Sequence, residues 1–246
     1  MAEAWFKYKG INSLSKYLRI KNSIIFPSPE ADIELIEVLG RDGELVIDNK
    51  RLKGVSFPIE MKLSIPKDVD KTVSDVATEI SNWLKGDIGW YPLEFSGSPN
   101  YVYTAMVYEQ FNISERLKNR GHVTINFRLK PYKTLRGQEV KTLTNGETLT
   151  NEGLRPSKPL IRIDGSGDIT LQNNGKDWLK LVDVVDYVNV DSEAMLVYRE
   201  VSNPQNKKFN ATLEPMFPIL HEGDNTITWT GNVDSVKIET RWGSIT

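Results

Sequence analysis

The chain has 246 residues, 31 Lys and Arg against 33 Asp and Glu, a formal net charge of -2 and no cysteine. That length is enough for two domains, each with its own core. The near-neutral balance argues against a general nucleic-acid binder, which carries a concentrated basic face. Without cysteine there are no disulfides, thiolate metal ligands or cysteine nucleophiles. The densest basic pair, Lys207-Lys208, reads as a solvated loop. The opening "MAEAWFKYKG" has no basic region followed by an apolar stretch, so no signal peptide is visible. No apolar run approaches the roughly 18 residues of a membrane helix. The chain reads as soluble, without membrane insertion.

In chain order the first distinctive stretch is "IEVLGRDGELVID", Ile36 to Asp48, with Gly40 and Gly43 beside an arginine and acids. A phosphate-binding loop needs a helix after its glycines and usually a lysine followed by Ser or Thr. Here Leu45, Val46 and Ile47 read as strand, so Arg41-Asp42-Gly43 is the turn of a hairpin. Next, "SFPIEMKLSIP" alternates with period two. Phe57, Ile59, Met61, Leu63 and Ile65 lie on one face, and Glu60, Lys62 and Ser64 on the other.

One segment has helical spacing. In "DVDKTVSDVATEISNWLKG" the positions are Val73, Val76, Ala77, Ile80, Trp83 and Leu84. Asp70 or Thr72 can cap its start, and Gly86 stands where a left-handed residue ends a helix. The strand "HVTINFRLK" follows, with Val123, Ile125, Phe127 and Leu129 inward and Pro131 as its stop.

Between Lys133 and Lys158 the apolar pattern gives way to Thr, Asn, Gly and Pro. The stretch reads as a linker or crossover holding a short hairpin at Asn145-Gly146. From Pro159 on, about eight short strands with Gly, Asn and Asp turns follow the pattern of a β-sandwich. "LIRIDGSGDITLQ" reads as two strands joined at Gly165-Ser166-Gly167, and "FPILHEGDNTITWT" and "DSVKIETRW" as separate strands. The expected fold is therefore mainly β with one α-helix. Its parts are an N-terminal β domain over 1-132, a linker over 133-158 and a C-terminal β-sandwich over 159-246.

Signs of chemistry are weak. His122 and His221 lie far apart in sequence, and neither has a second histidine at metal-ligand spacing. No Gly-x-Ser-x-Gly elbow is present. Asp164, Asp168 and Asp177 read as turn formers, because they do not fit the calcium loop. Trp178, Trp229 and Trp242 fall in the second domain, where exposed rings would stack on sugars; Trp229 shares a face with Ile227, which favours burial. No catalytic residue, metal ligand or cofactor site is assigned, and no enzyme activity is expected.

Taken in order, "VLGRDGELVID", "FPIEMKLSI", "ISNWLKG", "YVYTAMVYE" and "HVTINFRLKPYK" in the first half resemble the distal tail proteins of long, non-contractile-tailed bacteriophages and prophages. In the second half "NEGLRPSKPLIRIDGSGDITLQNNG", "YVNVDSEAMLVY" and "FPILHEGDNTITWTGNVDSVKIETRW" continue that resemblance. It implies a belt-like N-terminal domain, six copies of which close into a ring, and a galectin-like C-terminal sandwich that docks other tail-tip components. The implied neighbours are the tail tube protein, a tail-tip or tail-associated lysin protein and receptor-binding proteins, with DNA passing through the lumen without specific binding. The place implied is the virion tail tip, after assembly in the host cytoplasm. A ring subunit needs faces that neighbours complete. Phe57, Ile59, Met61, Leu63, Val123, Ile125 and Phe127 are the candidate interface positions, each of which also suits a core. The alternative is a carbohydrate-binding protein that meets host surface glycans through Trp178, Trp229 or Trp242.

Overall fold

The computed structural model describes residues 3–21, 24–199, 207–208, 211–213 and 217–246. The chain forms two compact units, Met1–Arg136 with Ile245–Thr246, and Gly137–Ser244. Chain connectivity thus inserts the second unit between the bulk of the first and the first unit's last two residues.

The first unit contains β1 (Phe6–Tyr8), β2 (Ile11–Asn12), β3 (Leu18–Ile20), β4 (Ala31–Glu37), β5 (Glu44–Leu52), β6 (Val55–Ser64), α1 (Val73–Lys85), β7 (Tyr91–Phe95), β8 (Tyr101–Met106), β9 (Ile113–Leu117) and β10 (Arg120–Leu135). Its main sheet runs β2-β1-β7-β8-β10-β6-β3, with β9 also on β10, while β4 and β5 pair only with each other. Helix α1 starts at a capping box. Asp75 N donates to Thr72 Oγ1 at 3.2 Å, and Thr72 N donates to Asp75 Oδ2 at 2.9 Å. Its apolar stripe packs onto the sheet. The Trp83 ring stacks on Phe6 with centroids 5.6 Å apart, and its Nε1 donates to Tyr8 O at 3.1 Å. Phe127 meets both Phe6 and Tyr8 edge-on. Burial in this cluster raises the Tyr8 hydroxyl pKa to about 12, against a hydrogen bond with the Val107 backbone and with small contributions from Tyr91 and Asp87.

Two local expectations change. Gly86 closes α1 in a right-handed conformation, φ -58, with its N–H on Asn82 O. Pro131 does not stop β10, which continues to Leu135. The proline lies in the bulge between the Leu129 and Lys133 pairings with β8, where the ladder needs no N–H from it. Its carbonyl accepts from Thr246 N at 3.0 Å, so the end of the chain uses the bulge.

The second unit contains β11 (Lys141–Leu143), β12 (Glu147–Asn151), β13 (Leu160–Asn173), β14 (Lys176–Val184), β15 (Tyr187–Asp191), β16 (Leu196–Arg199), β17 (Lys207–Lys208), β18 (Ala211–Leu213) and β19 (Gly223–Glu239). The stretch 133–158 is therefore not a bare linker: its first residues finish β10, and β11 and β12 belong to the second sheet. Nor do β11 and β12 form a hairpin. Both run antiparallel to β19, along its far and near halves in turn. At the break the Asn145 amide replaces a ladder rung, accepting from Trp229 N at 3.0 Å and donating to Trp229 O at 2.9 Å. Lys207-Lys208 is strand β17, where a solvated loop is the sequence expectation.

β13 and β19 are each one long strand where the sequence suggests two. Both bend in mid-course, and the bends give the unit two layers from one hydrogen-bonded sheet. Leu160–Asp164 pairs with β15 and the end of β19, whereas Gly167–Asn173 pairs with β14, and its stretch from Thr170 on with the start of β19. Glycines make the crossing possible. A Cβ on Gly231, whose φ is +103, would stand 2.3 Å from Asp168 O, and one on Gly165 would stand 2.4 Å from Asn232 O. Ile161 and Ile163 of one limb and Ile169 and Leu171 of the other are fully buried, as are Ile227, Val236 and Ile238.

Near the end of β19, Arg241 grips Asp191 with two nitrogens, at 2.9 and 3.2 Å. Asp191 also accepts from the backbone of Glu193 and Ala194. Burial alone would raise this carboxyl, but the Arg241 and backbone hydrogen bonds outweigh it and its pKa is lowered. A lowered folded pKa means stability that is present above the unfolded value, about 3.9, and lost as pH falls through the folded value. Asp191→Asn is therefore expected to cost about 2 kcal/mol in urea unfolding at pH 7, and to flatten the loss of stability below about pH 4. Gly231→Ala is expected to cost at least about 2 kcal/mol, read from the same unfolding curves, because the added methyl meets the Asp168–Ile169 backbone of β13 and the φ is positive.

Candidate interaction surface

All seven positions first placed at a ring interface belong to the first unit's own core. Phe57, Ile59, Met61, Leu63, Val123, Ile125 and Phe127 are 0–3% exposed. Strand alternation explains the difference: the apolar face of β6 and β10 lies in the core that α1 shares, and only the opposite face is left for another molecule.

What remains open is the β4–β5 hairpin. Its turn at Val38–Gly43 has Gly43 at positive φ, as the Asp-Gly signal predicts, and Gly40 as well. Cross-strand pairing puts Ile33, Leu35 and Val46 on one face, and Ile36, Leu45 and Ile47 on the other. All six are exposed, Val46 at 62% and Leu35 at 52%, with Leu39 fully open at the tip. Neither face is covered. A two-stranded ribbon is marginal in water by itself, and six such side chains offer on the order of 10 kcal/mol when buried, before association costs.

Charge divides along this ribbon. Near its base the acids are matched: Asp32 with Arg51, Glu30 with Lys53 at 2.9 Å, and Asp48 with Lys50 at 2.7 Å. Toward the tip, Glu34, Glu37 and Glu44 are exposed. Among the described residues none of the three has an ion-pair partner.

The solvent face of the main sheet has the opposite character. Register aligns Arg19 on β3, Lys62 on β6 and His122 on β10 in one row across the sheet, continued by Ser114 on β9. Arg19 pairs with Glu3 at 2.9 Å, while Lys62 has no ion-pair partner among the described residues. Lys21, Arg116 and His122 line a polar cavity of about 290 Å³ with Glu60, which holds Lys21 at 3.6 Å. Burial lowers the His122 pKa, and the nearby cations Arg116, Lys21 and Lys62 lower it further against the opposing pull of Glu60. Beside this cavity, and sharing Glu60 and Thr124 with it, lies an apolar groove of about 290 Å³ lined by Ile20, Ile24, Ile25, Pro27 and Pro58.

The other sequence candidates have structural roles. Asp164 accepts from Ser235, Arg162 and Lys237, Asp177 from Lys180 and Gln172, and Asp168 from the Asp183 backbone. Among the described residues no group of three or more His, Cys, Asp or Glu could hold a metal. Trp178 and Trp242 are each 7% exposed, which leaves no ring face open to a sugar. Trp229 is half-buried on the Ile227 face.

No family model matches the sequence. The SPbeta prophage-derived uncharacterized protein YomH of Bacillus subtilis strain 168 is 28% identical over 173 residues, a match that spans 65% of this chain and 65% of that protein, just under two thirds. Among solved structures, the crystal structure of the Dit protein of phage SPP1 aligns with 96% of this chain and 98% of its own, at a TM-score of 0.66 and 18% identity. The chain has the Dit fold. That neighbour is described as a paradigm of the hub adsorption apparatus in phages that infect Gram-positive hosts. At that coverage the likeness takes in both units.

The charge row can be read directly, since the chain has only two histidines. In NMR titration His122 is expected to have its midpoint below the usual 6.5 or so. Lys62→Ala or Arg116→Ala should raise it by a few tenths of a unit, as exposed charges in water do. A midpoint unmoved by both changes would remove the shared positive field.

Proposed function

We propose that the chain is the ring-forming hub of a phage or prophage tail, joining the tail tube to the tail tip. The observation that carries this reading is fold likeness to a hub protein over nearly the whole of both chains, with nothing large left over on either side. The prophage origin of the relative in Bacillus subtilis agrees with it.

On this reading the first unit makes the ring and the second faces outward to other tail-tip proteins, including a lysin and receptor-binding proteins. Six copies close the ring, DNA passes through its lumen without specific binding, and the assembled hub resides at the virion tail tip. The hairpin supports this division of labour, because it offers a neighbour an uncovered apolar surface and the first unit alone contains it. The ring needs no catalytic group. Glycan binding by the second unit would rest on Trp229 alone, since the other two rings are covered.

Light scattering across a concentration series is expected to resolve a species of about 168 kDa, six times the 28.0 kDa chain, with rings in negative-stain images. A mass of 28.0 kDa at every concentration would count against a self-assembling hub.

A further inference from the structure

We infer that the β4–β5 hairpin of one copy docks on the next copy's solvent-facing sheet, its apolar side chains in the groove at Ile24, Ile25 and Pro58 and its free carboxylates on the row Lys62, His122 and Arg116. This rests on the ring reading and names the two surfaces that would form each contact.

Three observations combine. First, the hairpin is apolar on both faces and covered on neither, so its order in water calls for an occupant. Second, the surfaces complement each other in kind. Glu37 and Glu44 pair across the ribbon on the same face as Leu35 and Val46, and the cationic cavity and the apolar groove share Glu60 and Thr124. Third, each side carries a charge imbalance that the single chain leaves unresolved. Lys62 and His122 are direct cross-strand neighbours, with Arg116 beside them. His122, its pKa lowered, is mostly neutral at pH 7, so the positive charge here is that of Lys62 and Arg116, which a further anion would balance. The carboxylates of Glu37 and Glu44, which have no ion-pair partner among the described residues, supply that anion.

A second copy is the occupant because one chain carries both halves of the contact. The two surfaces differ, so the contact is heterologous. A heterologous contact propagates head to tail and closes when its rotation divides a full turn. Charge sets the register and the apolar residues supply the adhesion.

The test uses full-length chain. Glu37→Lys with Glu44→Lys is expected to raise the half-assembly concentration at least about tenfold, as is Lys62→Glu with Arg116→Glu. All four changes together should bring it back to within about threefold of the unmodified chain. Because the chain has no cysteine, a direct readout is available. Mixing a Leu35→Cys chain with a differently tagged Pro58→Cys chain and adding a short bismaleimide should give a mixed dimer, with little from either alone. All of these positions are outside the core, and circular dichroism checks that each variant folds. An oligomer that ignores both charge pairs, or that yields no mixed cross-link, overturns this contact while leaving the ring intact. A monomer at every concentration overturns the ring and the contact together.

Discussion

A two-stranded ribbon has no interior. Whatever apolar side chains it carries must be covered by something other than itself, and the β4–β5 hairpin carries three on each face. The long strands of the main sheet meet this demand inside the unit: Phe57 against Phe95, Phe6 against Trp83 and Phe127, and Leu93 in the same cluster. The hairpin is the exception, and the exception defines the outside of the molecule. A core can be finished within one chain, whereas a ribbon that is apolar on two sides presents a surface its own two strands cannot cover.

The second constraint is how few strands do the joining. β10 pairs with β6 along one edge and with β9 and then β8 along the other, and β13 and β19 each serve both layers of the second unit. Such strands must change direction without losing their ladders. They do so at residues that give up a side chain or an N–H: Gly165 and Gly231 at the crossing, Pro131 in the bulge. The same economy couples distant parts of the sequence. Asn145 supplies a rung to Trp229, and Asp191 is held by Arg241, so the loops are positioned by the strands they flank.

These features explain what could be read from sequence and what could not. Period-two alternation in Phe57–Ile65 and Val123–Leu129, and helical spacing from Val73 to Leu84, report local burial, and they identified core faces reliably. They say nothing of which molecule does the burying, so the same residues could be assigned to an interface and turn out to be core. Glycine was read as a turn at Gly165–Gly167, where it allows a continuous strand to bend; the local signal is identical and the partner strand decides. Asn145-Gly146 failed for the same reason, since only the register against β19 shows that the chain keeps its direction. The hairpin turn was legible in Arg41-Asp42-Gly43. Its isolation was legible too, had the two faces been separated: "IELI" opposite "ELVI" puts apolar groups on both sides. The row Arg19, Lys62, His122 was invisible, because its members are far apart in sequence and only pairing register brings them together.

Fold likeness at 18% identity follows from the same division. Core positions need only be apolar and of suitable volume, and bends need only glycine or its equivalent, so both tolerate wide substitution while the backbone keeps its course. Exposed charges are under a different constraint. When the two halves of a contact lie on one chain, a change in either alters every contact in a closed assembly, and a compensating change restores them all at once. Charge on such a surface is therefore free to differ between relatives, provided its two halves differ together. In an assembly built that way, such coupling would let subunits of one kind select each other over near relatives with an equally good fold.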